Sequence, residues 1–316
     1  MYIRIASILN WLRLDILMRA ALIGTLTVAC SALPLAHGGT LDSRDCGGHV
    51  ELRLSSSATT QGSLVQAEVR SVSSLSKLTA NWVGHTVPFW LDNRNENVHR
   101  ALLGVDVGRP SGQYELTLTG QLQNGQQVGC SARVSVKSGR FVIEKLQVSR
   151  KFVEISPEDS KRVEREHQRL HDLFARTTPD RLWESGFRLP LDGVRTGGNF
   201  GRRRILNGQP RSPHTGIDFP SAAGTPVHAA QRGRVVLAQD LFFTGNTVVL
   251  DHGLGIYTFY GHLESISVAV GDVVAVGAML GRVGATGRAT GPHLHWGLTV
   301  NEARVNPLQI VRIPED

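Results

Sequence analysis

Between residues 49 and 150, apolar and polar positions alternate with period two in short runs: "VELRL", "LVQAEV", "YELTLTG" and "VGCSARVSV". Alternation of this kind places every second side chain on one face, the signature of half-buried strands. Asn124-Gly125 separates the last two runs and is a strong hairpin signal. Strands this short, with turn signals about every ten residues, predict an immunoglobulin-like β-sandwich over residues 39–150.

The period then changes. "SPEDSKRVEREHQRLHDLFAR" opens with Ser156 as N-cap, Pro157 at the first helical position and two acids in the first turn. Val163, His167, Leu170 and Phe174 recur at helical spacing, a single narrow stripe, so residues 151–185 are predicted to be a helical linker. From residue 186 to 316, Gly and Pro punctuate Val-rich runs such as "GRVVLAQ", "NTVVLDHG" and "IYTFYGHL", with no long helical period. This predicts a compact antiparallel β domain with tight turns. The whole chain therefore reads as mostly β.

The N-terminus carries a different pattern. Arg19 precedes "AALIGTLTVAC", too short to span a bilayer, followed by small residues in "SALPLAHGG". Residues 1–38 read as a secretory signal, cleaved after Ala36 or Gly38, with Met18 as a second possible start. Lipid attachment at Cys30 is the lesser reading, because Thr27 stands where Leu is preferred. The expectation is export to the periplasm or cell envelope, with no stable membrane insertion after cleavage. Removal of Cys30 leaves Cys46 and Cys130, an even pair in an oxidising compartment. Cys130 alternates in phase with Val128, Ala132, Val134 and Val136, and a Cys46–Cys130 disulfide is expected.

Composition adds little until charge is considered. The 316 residues are 41% hydrophobic with a net charge of +7 and a pI near 9.8, which favours an anionic partner. The densest basic cluster, "GRRRIL" at 201–206, reads as a solvated loop, and the charge forms no basic-aromatic stripe, so nucleic acid is not expected.

Most of the twelve histidines have bland readings. His37 and His49 lie near the N-terminus, His85 and His99 lie in the sandwich without acidic or cysteine partners and read as surface positions, His167 and His171 sit on the linker helix, His228 alternates outward, and His252 occupies a turn. Four remain. In "GPHLHWGL", His293 and His295 lie at i and i+2, which in a strand puts both on one face about 7 Å apart. Chance alone yields an H-x-H about 0.5 times in such a chain, so this motif needs partners. "SPHTGIDFP" supplies His214 and Asp218, which share a face only if the intervening Thr-Gly bends the chain. With one histidine of "HLH", they make two nitrogens and one oxygen, the donor set of a catalytic zinc site with an open position.

"PHTGIDF", "VVLDHGLGIYTFYGHL" and "VAVGDVVAVGAMLGRVGATGRATGPHLHWGL" together resemble the lysostaphin-type, LytM-like zinc metalloendopeptidases that cut peptidoglycan, over roughly residues 198–310. The resemblance implies Zn(2+) held by His214, Asp218 and His295, with His262 and His293 in catalysis, and peptidoglycan peptide stems as substrate for a monomeric enzyme. It leaves open which cross-bridge bond is cut. Non-catalytic members that activate amidases typically lack the metal ligands, and all five positions are filled here. No H-E-x-x-H motif is present, which argues against that protease class. Residues 39–185 hold no ligand spacing and are expected to position or gate the site without chemistry of their own.

Overall fold

The computed structural model describes residues 42–184, 186–193 and 198–313, so the signal segment lies outside the described residues. Ten strands come first: β1 (Asp42–Asp45), β2 (Val50–Leu54), β3 (Ala58–Thr60), β4 (Leu64–Ser71), β5 (Leu75–Trp82), β6 (His85–Val87), β7 (Trp90–Leu91), β8 (Val98–Gly104), β9 (Gly112–Leu122) and β10 (Gln127–Lys137). They form two five-stranded sheets, ordered β1-β2-β4-β8-β7 and β3-β10-β9-β5-β6. The inward positions of both sheets, including Leu52, Val69, Leu103, Leu118 and Val134, build one apolar core between them. Trp82 crosses it, and its indole N–H donates to the Gly104 carbonyl at 2.8 Å.

The local chemistry explains the elements. At the β9–β10 hairpin, Gly125 takes a left-handed φ of 88° that a Cβ would disfavour, while the Gln126 N–H donates to Asn124 Oδ1 at 3.0 Å. Cys46 and Cys130 are joined, with 4.8 Å between their Cα atoms, tying the end of β1 in one sheet to β10 in the other. Helix α1 (Pro157–Phe174) starts as predicted, Ser156 Oγ accepting from the Asp159 N–H at 3.0 Å. Its stripe is slightly rotated from the expected one: Leu170, Leu173 and Phe174 pack, while His167 and His171 are exposed.

The second half opens with a small sheet. Strand β11 (Ile143–Leu146) pairs parallel with β12 (Arg203–Leu206), which turns back on β13 (Gln209–Pro210). The main sheet uses β14 (Gly216–Pro220), β15 (Pro226–His228), β16 (Gly233–Leu241), β17 (Gly245–Asp251), β18 (Ile256–Ile266), β19 (Val273–Val274), β20 (Met279–Val283), β21 (His293–Val300) and β22 (Ala303–Val305). Its path is β14-β21-β18-β17-β16-β19, with β20 on β18, β15 on β20 and β22 on β21. One face, carrying Tyr260, Leu294, Trp296 and Leu298, is core. On the other, Leu237, Val249 and Tyr257 receive the apolar stripe of α1. Arg162 pairs with Asp240 at 2.8 Å, and Glu166 accepts from the Phe242 N–H at 2.8 Å, pinning the helix to that face.

The two halves share structure rather than merely adjoining. Trp90, Leu102 and Val107 of the first half belong to the core of the second. Arg304 forms a two-pronged ion pair with Asp106, both contacts 2.8 Å. His85, which lacks an acidic neighbour in sequence, meets Glu302 at 2.8 Å. Among the described residues no helix is long and apolar enough to cross a membrane.

Candidate metal centre

Register assembles the site. Antiparallel pairing sets Asp218 of β14 directly opposite His295 of β21, and Gly261 of β18 opposite His295 on its other side. His295 is buried, with Phe259 edge-on at 5.9 Å between ring centroids. A Cβ on Gly216 would lie 2.7 Å from His295 Nε2 and 2.5 Å from the Trp296 carbonyl, so glycine is required for the ring to settle beside β14. His214, in the loop before β14, is clipped in place by backbone hydrogen bonds to Gly201 and Arg202. The predicted bend is present: His214 Nε2 reaches Asp218 Oδ1 at 3.0 Å.

Three ligand atoms converge. His214 Nε2, Asp218 Oδ1 and His295 Nδ1 stand 2.9–3.0 Å from one another. A tetrahedral ion bound at ~2.0–2.1 Å has ligand–ligand edges of roughly 3.3 Å, close to this triangle. The protonation pattern agrees. His214 Nδ1 faces the Asn199 carbonyl at 3.0 Å, which only accepts, so the proton sits there and Nε2 presents its lone pair to the triangle. Asp218 Oδ2 is occupied by Asn199 Nδ2 at 3.0 Å and Arg204 Nη2 at 2.8 Å, leaving Oδ1 for the triangle. Burial alone would raise the Asp218 carboxyl, but its close contacts with the His214 and His295 rings outweigh it and hold the group well below the usual carboxylate range. Burial pushes the His295 imidazole down to about 4, keeping it neutral at pH 7.

His262 and His293 stand beside this triangle. Their ring centroids are 4.6 Å apart, and His262 lies 6.0 Å from His295. Each commits one nitrogen to a carbonyl, His262 Nδ1 to Thr286 and His293 Nδ1 to Gly291, both at 2.8 Å, so each Nε2 carries a lone pair. His293 Nε2 is 3.8 Å from Asp218 Oδ1. His262 adopts a left-handed φ of 62°, uncommon for a non-glycine residue, and its N–H is anchored on the Thr244 carbonyl at 2.6 Å. Burial, followed by repulsion from His295 and His293, pushes His262 down to about 3.

The remaining predicted positions separate cleanly. His252 is buried and structural, bonded to the Arg232 carbonyl and Thr258, as its turn position suggested. His228 alternates outward from buried Val227 as expected but is half-buried, bonded to the Gly277 carbonyl. The larger correction concerns "GRRRIL", expected to be a solvated loop. It contains a strand, and Arg204 is turned inward, its side chain 19% exposed, bridging Asp218 and Glu144. Glu144 also pairs with Arg202 at 2.6 Å. Asn199, Arg204 and Glu144 are thus the site residues that sequence reading missed. Three consecutive arginines with no nearby acid were the available signal that something distant neutralises them.

Two nitrogens and one oxygen, from β14, β21 and the loop before β14, flanked by two further imidazoles, form a cluster that could hold one metal ion. Residues 212–307 match the sequence pattern of Peptidase family M23. A crystal structure from Pseudomonas aeruginosa described as an M23 peptidase is 30% identical, with a TM-score of 0.61 covering 80% of this chain and 94% of that one. The chain belongs to peptidase family M23. Among curated relatives, peptidoglycan DD-endopeptidase ShyA of Vibrio cholerae is 40% identical over 132 residues, 41% of this chain and 31% of that protein. DD-carboxypeptidase/endopeptidase Mpg of Neisseria meningitidis is 38% identical over 128 residues, 40% of this chain and 30% of its own length. The matched stretch therefore spans about a third of those proteins. Family membership and the His-Asp-His triangle together imply a bound metal.

Proposed function

We propose that the protein is a zinc-dependent endopeptidase that hydrolyses peptide cross-links of bacterial peptidoglycan in the cell envelope. The observation that carries this reading is the convergence of His214, Asp218 and His295 on one point with His262 and His293 alongside. A donor set of two imidazole nitrogens and one carboxylate oxygen, with an open fourth position, fits Zn(2+). When bound, the ion polarises the scissile carbonyl and lowers the pKa of water toward ~7.

The protein's own groups supply the rest. The Nε2 lone pairs of His262 and His293 orient the attacking water and take its proton. His293, its side chain 15% exposed, is the better placed to pass a proton to the departing amine. The curated relatives named as peptidoglycan endopeptidases and the net charge of +7 support an anionic wall polymer as substrate. The amidase-activator reading gains nothing from the site, because every ligand position is filled.

The decisive experiment incubates the full chain with purified peptidoglycan and reads the products by mass spectrometry. New amino termini at cross-links, abolished by a chelator and restored by zinc, are expected. Binding to the wall without new termini would overturn the endopeptidase reading, and hydrolysis that survives chelation would overturn the metal.

The segment ahead of the matched region contributes positioning rather than chemistry. Glu144 of β11 holds Arg204, which holds Asp218 Oδ2 and so turns Oδ1 toward the triangle. Glu144→Gln removes the charge that anchors this chain of contacts, and zinc affinity is expected to fall by up to ~10-fold, the lower end of what losing a ligand's direct supporting partner costs. Competition with a chromogenic chelator measures it. An unchanged affinity would show that Asp218 is oriented without Glu144.

A further inference from the structure

Beside this site one cation, Arg288, has no counter-ion among the described residues. Arg288 lies in the loop between β20 and β21, its N–H donating to the Phe243 carbonyl at 2.8 Å and its guanidinium stacked 4.4 Å from the centroid of the Phe243 ring. Among the described residues no carboxylate pairs with it. Asp218 and Glu144 are both engaged by Arg204, and Glu166 by Arg162. Arg211, close enough to repel Arg288, is likewise satisfied only by neutral groups, the Val153 carbonyl at 3.0 Å and Gln209 Oε1 at 2.7 Å. Burial, then repulsion from Arg204 and Arg211, lowers the Arg288 guanidinium to about 10, which leaves it charged at neutral pH.

Placing a half-buried guanidinium beside two others without an acid is unfavourable, and a folded chain ordinarily neutralises such a group. With no partner among the described residues, a ligand from outside the chain can supply the missing charge. The location says what kind. Thr286, two residues before Arg288 in the same loop, accepts at its carbonyl from His262 Nδ1, and Arg204, the partner of Asp218, is near enough to repel the Arg288 guanidinium, which places it close to the candidate site. Phe243 supports one face of the guanidinium, and the planar fork suits two-pronged capture of a carboxylate.

We propose that Arg288, supported by Phe243 and reinforced by Arg211, seats a carboxylate of the peptide substrate and makes the enzyme select acidic stem peptides over amidated ones. This rests on the endopeptidase reading and deepens it.

The test uses the zinc-loaded full chain and two synthetic cross-linked stem peptides, identical except that the free carboxylates of one are amides in the other. A charge-assisted hydrogen bond of ~1.5–3 kcal/mol corresponds to roughly 10–100-fold in KM. Wild type is expected to show that preference for the acidic peptide. Arg288→Gln should raise KM for the acidic peptide by that factor, leave kcat within about threefold, and leave the amidated peptide unaffected. Arg288→Lys should keep part of the preference. Metal content and the thermal midpoint confirm that each variant is folded. Equal losses on both peptides, or none on either, would overturn the proposal while the endopeptidase reading stands. Should Arg288→Gln not fold, an absent wild-type preference overturns it equally. Wild type inert on both peptides would instead refute the endopeptidase reading, and this proposal with it.

Discussion

His295→Ala is expected to lose its metal, and His293→Ala to keep it. The two imidazoles are chemically identical and two residues apart on β21, yet the fold aims them differently. His295 Nδ1 sits 2.9 Å from Asp218 Oδ1 and 3.0 Å from His214 Nε2, so its removal deletes one corner of a three-cornered site. Metal content after dialysis should drop well below one per chain, and Asp218→Ala and His214→Ala should match it. His293 Nε2 stands farther off, 3.8 Å from the same oxygen, beside rather than within the triangle. Its alanine variant should retain zinc while turnover falls ~10²–10⁴-fold, the usual cost of a lost acid–base group. His262 should behave alike, and His262→Asn is the better variant, since asparagine tolerates the left-handed backbone found there. A merely structural role for both predicts equal losses of stability with metal content unchanged. Retention of zinc by His295→Ala with its loss from His293→Ala would reverse the assignment.

The second large effect lies in the sandwich. Cys46 and Cys130 close a loop of 84 residues between the two sheets. In the chain-entropy account, reducing such a bond destabilises the fold by about 4–5 kcal/mol, equivalent to some 10 °C or more in the thermal midpoint of a domain this size. Intact mass after alkylation without reductant should show neither thiol modified. Two alkylated cysteines would contradict the bond, and an unshifted midpoint after reduction would contradict its contribution.

Much of this molecule is written in short-range pattern. Period-two alternation places the long strands β9 and β10, and Asn124-Gly125 places the turn between them, because side-chain facing and φ preference depend only on adjacent residues. Ser156 and Pro157 mark the start of α1 for the same reason. The five histidine and aspartate positions are legible because each lies in a compact motif: His214 and Asp218 within five residues, His293 and His295 within three, His262 in "YGHL". The cysteine pair is legible by parity and phase.

What only tertiary structure decides is which distant groups neutralise and orient those residues. Nothing near Asp218 announces that Asn199, Arg204 and, through Arg204, Glu144 hold its second oxygen. Glu144 reaches the site because β11 pairs parallel with β12 across a long separation, and parallel partners carry no turn between them to read. The same limit made "GRRRIL" look like a solvated loop and left His85 without its Glu302. Charge is a long-range quantity: an arginine's role is set by the acids the fold brings to it, as with Arg204, or withholds, as with Arg288.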